Sequence, residues 1–300
     1  MITRRAFLKL AAQTWLAGMA VVGFATGVEA MGRPDVVTYR LTPPGWTPGL
    51  RLKVVMLADF HACEPWMSAE RIAGICEQAN ALGGDIILLL GDYETSMKVV
   101  TGYLPPDTIA GALKGLTAPL GVHAILGNHD CWADAAFQAD PTREVRIATA
   151  LKAAGIRVYV NEAVRLEKDG LPFWLAGLGD QIALKPDRSR GRKYFTGVED
   201  PAEMMMAVTD DAPMLLMAHE PYYFAYGLHR AALTLSGHTH GGQINLFGWT
   251  PFVKDPHELQ FRGGHYVMEN RHLLVSKGLG CSGVPMRLGA WPQIVVAEIG

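Results

Sequence analysis

The chain has 300 residues, 49% of them hydrophobic and 19% charged, with a formal net charge of -2 and a pI near 6.5. That composition supports an ordered core and excludes a disordered chain. Without a global basic field, nucleic acid is not expected as a partner, and the length suits one large α/β domain or two small ones.

Residues 3–9 carry Arg4, Arg5 and Lys9, and an apolar run of about 16 residues follows from Leu10 to Ala25. Val28-Glu29-Ala30 has the form of a small-x-Ala cleavage site. A basic start, an apolar middle and small residues read as a signal peptide over 1–30. The paired arginines before Phe7-Leu8-Lys9 resemble a twin-arginine export signal. The run is short of the ~20 residues that span a bilayer comfortably, which favours cleavage over anchoring. The expected protein is exported, periplasmic or on the outer face of the cytoplasmic membrane. Its partners would be the twin-arginine machinery, with peripheral membrane contact as a further option.

Residues 31–50 read as a connector, since Thr42–Gly49 is rich in Pro and Gly. No linker divides residues 51–300. Lys53–Ala58 is a short apolar run ending at Asp59 and reads as a buried strand. Ser68–Leu82 has Ile72, Ile75, Cys76 and Ala79 at helical spacing, closed by Gly83-Gly84. Ile86–Leu90 predicts a second strand ending at Gly91-Asp92, and Thr108–Leu116 a helix. Val122–Leu126 predicts a third strand, ending at Gly127-Asn128-His129-Asp130, and Thr142–Ala154 another helix. This alternation argues for a parallel sheet with helical crossovers. Further apolar runs at 173–176, 214–218, 232–235, 273–276 and 294–299 call for a second sheet packed face to face with the first. Pro186–Gly197, with Arg188, Arg190, Arg192 and Lys193, reads as a solvated surface loop.

The polar residues of interest follow the apolar runs directly. Asp59 and His61 come after the first strand, Asp92 after the second, and Asn128, His129 and Asp130 after the third. His219 follows 214–218; His238 and His240 follow 232–235. Ligands in parallel α/β sheets bind at the carboxyl ends of strands, so these loops would converge. Imidazole with carboxylate suits Zn, Mn, Fe or Ni better than calcium. Asp92, between the others in chain order, could bridge two cations, which together clamp a phosphoryl group and ionise a shared water. His129 suits a hydrogen bond to a substrate oxygen, and Asp130 would hold the His129 tautomer.

Asp59-x-His61, Gly91-Asp92, Gly127-Asn128-His129-Asp130, His219 and Gly237-His238-Thr239-His240 occur in the order of the calcineurin-like metallophosphoesterase motifs. From about residue 52 to the end the chain resembles that family. Ser236–Gln243, Ser276–Gly280 and Val284–Arg287 look like its exported, YkuE/YaeI-like phosphodiesterase branch, which includes a lipid A pathway pyrophosphatase. The resemblance implies a four-layer α/β-β/α sandwich of two mixed sheets with flanking helices. It implies two divalent ions (Mn, Zn or Fe), one held by Asp59, His61, Asp92 and His240. The other would sit among Asp92, Asn128, His219 and His238, with His129 acting on substrate. The expected function is hydrolysis of a small-molecule or lipid-linked phosphodiester or pyrophosphate by a hydroxide bridging the metals. A phosphomonoesterase or a non-catalytic, metal-stabilised binding protein are the rival readings.

Cys63, Cys76, Cys131 and Cys281 form no C-x-x-C pair and read as free buried thiols. His123 reads as a core residue, and His229, His257, His265 and His272 as surface or loop residues. Met204–Met206 and Tyr222–Phe224 read as core rather than an apolar entrance, and Pro65–Met67 could rim the site.

Overall fold

The computed structural model describes residues 3–227, 230–251, 253 and 255–300. Its strands are β1 (Asp35–Leu41), β2 (Leu52–Leu57), β3 (Cys63–Glu64), β4 (Ile86–Leu90), β5 (Gly102–Tyr103), β6 (Val122–Ile125) and β7 (Arg157–Val158). They continue with β8 (Glu162–Lys168), β9 (Leu171–Gly177), β10 (Met214–Met217), β11 (Leu233–Ser236), β12 (Gly264–Met268), β13 (Arg271–Val275) and β14 (Gln293–Ile299). Two 6-stranded sheets form, in the orders β1-β14-β2-β4-β6-β7 and β12-β13-β11-β10-β9-β8. In the first, β2, β4, β6 and β7 run parallel, while β14 opposes β2. In the second, β9, β10, β11 and β13 run parallel, and β8 and β12 are antiparallel edges.

Successive side chains on a strand point to opposite faces, so a continuous apolar strand can serve two cores at once. Met56, Leu88 and Leu90 face Leu175, Leu215, Met217 and Leu235 between the sheets. Their neighbours Val55, Leu57, Ile87 and Leu89 face outward against the helices Ala69–Ala81, Pro106–Leu113 and Arg146–Ala153. On the far side, Trp174, Ala176 and Leu216 pack on Met204 and Tyr223. The result is the four-layer α/β-β/α sandwich of two mixed sheets.

Local chemistry sets the helix ends. Ser68 caps the first of these helices, its side chain accepting from Arg71 N at 3.3 Å. The helix expected over Thr108–Leu116 starts earlier, because Pro106 suits its first turn, where no N–H is needed. The helix expected from Thr142 begins only at Arg146: Thr142 instead donates its backbone N–H (3.2 Å) and hydroxyl (2.6 Å) to Asp140 in a turn.

Part of the expected connector is ordered sheet. Asp35–Leu41 pairs in parallel with β14 as an edge strand. Its Val36 is solvent-exposed and only Leu41 is buried, which is why the stretch lacks the dense apolar signature of the central strands. Upstream, the helix Arg4–Gly23 has no buried residue, but Ala25, Glu29 and Ala30 pack on the domain. The segment read as a cleavage site is thus part of the folded surface.

Among the described residues the other expectations sort simply. The four cysteines are free and buried. His123 is a core residue, bonded to Tyr159 Oη and Leu120 O at 2.8 Å each. His265 and His272 pair at 3.0 Å on the exposed face of β12 and β13. His229 and the His257 side chain lie outside the description. Met204 and Phe224 are core, Met206 is exposed, and Tyr222 belongs to the site described below. Met67 is core and Trp66 Nε1 donates to Val99 O at 2.7 Å. In the 186–197 loop, Arg190 pairs with Asp187 at 2.6 Å.

Leu88 is fully buried between the sheets. Leu88→Ala should lower unfolding free energy by about 2–5 kcal/mol, read as a reduced midpoint in urea denaturation at unchanged slope.

Candidate metal centre

Five of the parallel strands, β2, β4, β6, β10 and β11, end in a turn that carries one or two of the expected residues. Asp59 and His61 follow β2, Asp92 follows β4, Asn128 and His129 follow β6, His219 follows β10, and His238 and His240 follow β11. The chain must turn within one or two residues of each strand end. Five of these residues do so in left-handed conformation: Asp59 (φ 56°), His61 (48°), Asp92 (58°), His238 (71°) and His240 (52°). Non-glycine residues adopt that region at a cost, and such strain concentrates at functional sites. The surrounding backbone holds them there. Asp59 N donates to Gly91 O and His61 N to Asp92 O, both at 3.0 Å, and Gly280 N donates to Asp59 O at 2.7 Å. Gly278 must be glycine: its φ is 71°, and a Cβ would sit 2.7 Å from that of Asp59.

The side chains converge. Asp92 Oδ2 lies 3.4 Å from His61 Nε2 and 3.4 Å from His219 Nε2. His61 Nε2 faces His240 Nε2 at 2.9 Å, and His240 Nε2 is 3.6 Å from Asp59 Oδ1. His238 Nδ1 stands 3.1 Å from Asn128 Oδ1. Two groups of donors therefore meet at Asp92: Asp59, His61 and His240 on one side, His219 and His238 on the other.

The chemistry of this set fits divalent cations. His219 Nδ1 donates to Leu90 O at 2.6 Å and His61 Nδ1 to Glu94 O at 3.1 Å. In each ring Nε2 is therefore the nitrogen turned inward, the one available to a metal. His219 Nε2 is buried without a hydrogen-bond partner. Spacings of 3.4 Å between donors match the edge of a tetrahedron with bonds of about 2.1 Å.

The electrostatics agree. Burial pulls His61 down to about 3 against the attraction of Asp92, and burial, aided by His61 and Arg287, holds His240 well below its ordinary value. Both rings are therefore neutral near pH 7. Burial pushes Asp59 up to about 6, opposed by His219. Burial opposes charge on Asp92 and His219 too, yet their mutual attraction keeps the carboxyl well below and the imidazole well above the usual ranges. That proton stands in for the positive charge the two carboxylates demand.

His129 lines the cleft above this cluster, its backbone N donating to Asp92 Oδ1 at 2.8 Å. The expected partnership with Asp130 needs correcting. Asp130 accepts from four backbone N–H groups, of Asp92, Tyr93, Glu94 and Gly127, at 2.8–3.0 Å. It ties the Asp92 loop to the Asn128 loop. The ring of His129 instead meets Ser96 Oγ at 3.0 Å through Nδ1 and Ser282 Oγ at 3.4 Å through Nε2.

One functional residue had only a motif to mark it. Arg287 is fully buried, with Nη2 3.1 Å from His240 Nδ1. It donates to the carbonyls of Lys277, Gly280 and Ala290, which pins the His240 ring from behind. A buried arginine spends its fixed donors on backbone carbonyls, and nothing in the local sequence of residues 284–290 reveals those partners.

The cleft over the cluster measures roughly 700 Å³. Its walls include the apolar Trp132, Phe195, Tyr222 and Val284 beside the polar Gln243 and Glu258.

Asp92→Ala should strip both groups of donors of their shared member and abolish metal loading, whereas His129→Ala should retain it. Metal analysis of the purified variants by inductively coupled plasma spectrometry checks both outcomes.

Comparison with known proteins agrees with this geometry. Residues 52–242 match the family model of the calcineurin-like phosphoesterases. An uncharacterized metallophosphoesterase of Aquifex aeolicus is 29% identical over 84% of this chain and 86% of its own. The uncharacterized metallophosphoesterase YkuE of Bacillus subtilis is 27% identical over 98% of this chain and 96% of its own. The phosphodiesterase YaeI of Escherichia coli is 27% identical over the full length of both. With the matched segment spanning the strand-end loops from Asp59 to His240, the chain belongs to the calcineurin-like phosphoesterase family and is a metal-dependent phosphoester hydrolase.

Proposed function

We propose that this hydrolase is a phosphodiesterase or pyrophosphatase that works outside the cytoplasm with two divalent ions. One ion is assigned to Asp59, His61, Asp92 and His240, and the other to Asp92, Asn128, His219 and His238. The observation that carries this reading is the position of Asp92 Oδ2, 3.4 Å from an inward nitrogen on either side, together with the partnerless Nε2 of His219. Mn, Zn or Fe suits the mixed nitrogen and oxygen donors. The bound cations would neutralise phosphoryl oxygens and make water nucleophilic near neutral pH.

The chain's own residues do the positioning. Burial lowers the pKa of His129, so at pH 7 its ring is a neutral hydrogen-bonding group. Ser96 holds Nδ1, and Nε2 lies on the Ser282 side of the cleft, placed to donate to a phosphoryl or leaving-group oxygen. Asp130 keeps the two loops that carry Asp92 and Asn128 in register. The partly apolar walls at Trp132, Phe195 and Tyr222 accept the organic part of a diester, including a lipid-linked one. The diester preference also draws on the similarity to YaeI. The paired Arg4-Arg5 ahead of an apolar helix supports export by the twin-arginine route.

The test is turnover by the metal-analysed protein of bis-p-nitrophenyl phosphate, p-nitrophenyl phosphate and a nucleoside diphospho-lipid. The diester or the diphosphate should be cleaved faster than the monoester. A chelator should abolish turnover and Mn, Zn or Fe restore it. His129→Ala should lower kcat about 10²–10⁴-fold with metal content unchanged. A preference for the monoester would make the protein a phosphomonoesterase. A metal-loaded sample inert to all three substrates would sink the reading.

A further inference from the structure

The apolar helix Arg4–Gly23 and the domain are joined by a seam of specific bonds, not by a loose tether. Arg287 N donates to Ala25 O at 3.0 Å. Ala290 N donates to Glu29 Oε1 at 2.7 Å, and this carboxylate is 3% exposed. Arg71 Nη2 donates to Ala30 O at 3.0 Å and Gly32 O at 3.2 Å. Trp291 Nε1 donates to Arg33 O at 2.9 Å, and Gln78 Nε2 to Pro34 O at 2.8 Å. The six residues Phe24–Glu29 form a π-helical turn that runs straight on from the long helix.

A protease cuts where the backbone is exposed and free to move. Ala25, Glu29 and Ala30 are buried, and cleavage after Ala30 would remove the acceptors of the backbone N–H groups of Arg287 and Ala290. A buried donor left without an acceptor costs about 1–3 kcal/mol. Arg287 in turn lies against His240. The helical run continues through the π-helical turn to give 26 residues, Arg4–Glu29, and an 18-residue window of it, none of it buried, is apolar enough to cross a membrane. Those 18 helical residues span about 27 Å, close to a bilayer's hydrocarbon core. Phe7, Leu8, Trp15, Leu16 and Met19 are all more than half exposed on it. Its charges, Arg4, Arg5 and Lys9, sit at the far end from the domain, the arrangement that leaves the N-terminus cytoplasmic.

We infer that the N-terminal helix is retained as a membrane anchor, with residues 25–34 a folded part of the hydrolase domain that backs the His240 side of the metal centre. The occupant of the exposed apolar helix is the lipid bilayer. This reading does not depend on which phosphoester is cleaved.

The experiment uses the full chain with a C-terminal tag, expressed in a bacterial host. Its intact mass should include residues 4–30, and the protein should stay in the membrane pellet through an alkaline carbonate wash. A mass starting at or after Met31, or release of the intact chain into the soluble fraction, would overturn the inference. Hydrogen exchange of the detergent-solubilised protein then reads the seam. Glu29→Ala should speed exchange at the Ala290 amide at least about tenfold, and Glu29→Gln, whose amide oxygen still accepts, should restore protection. Equal exchange in the native protein and Glu29→Ala would mean that the segment is not docked.

Discussion

Asp59 and Asp92 are carboxylates held entirely out of water at the junction of two β-sheets. Isolated charges in such a place cost far more than a folded domain can spare unless counter-charge is supplied. Among the surrounding imidazoles, burial drives those of His61, His129 and His240 toward the neutral form, while neighbouring carboxylates hold those of His219 and His238 above their ordinary value. Asp92 lies beside His219 and holds its imidazole well above that value, against the pull of burial. A bound divalent cation would supply positive charge at the same place. The carboxylate oxygen where it would act, Asp92 Oδ2, lies equally close to two inward-facing nitrogens.

The scaffold makes that arrangement stiff. The candidate donors sit two to four residues beyond strand ends, so the sheets fix their origins, and left-handed turns aim five of them inward. The strain of five such residues is borne by backbone hydrogen bonds between neighbouring loops and by glycines that let those loops touch. Asp130 contributes most clearly. By gathering the N–H groups of residues 92–94 and 127, it ties the segments that carry Asp92 and Asn128 together. Its conspicuous place beside His129 in the chain comes from this structural duty. The ring of His129 is left to Ser96 and to the open cleft.

A second chain of contacts runs backward from the centre, through His240 and Arg287 to Ala25, and through Ala290 to Glu29. The segment between residues 280 and 291 therefore serves two neighbours. Ser282 and Val284 line the cleft, while Arg287, Ala290 and Trp291 hold the stretch that leads to the apolar helix. Loss of order in this segment would be felt on both sides at once.

Local pattern determined much of the molecule. The apolar runs that became β2, β4, β6, β10 and β11 are legible in the chain because burial on both faces demands continuous hydrophobicity. A candidate donor soon after each run is legible because strand ends are where the backbone must turn. The choice of Asp, Asn and His at those ends is a donor set that suits a divalent metal. Tertiary structure decided what depends on distant partners. His219 Nδ1 bonds to Leu90 O across 129 residues, an orientation that exists only once the two sheets pack face to face. The same packing set the real partners of His129 and Asp130, the role of Arg287, and the docking of Glu29. It also took Asp35–Leu41 into the sheet, where an edge strand half open to water needs no dense apolar code. A residue's neighbours in the chain dictate its periodicity and its turn. Which lone pair faces which, hundreds of bonds away, is settled by how the finished layers meet.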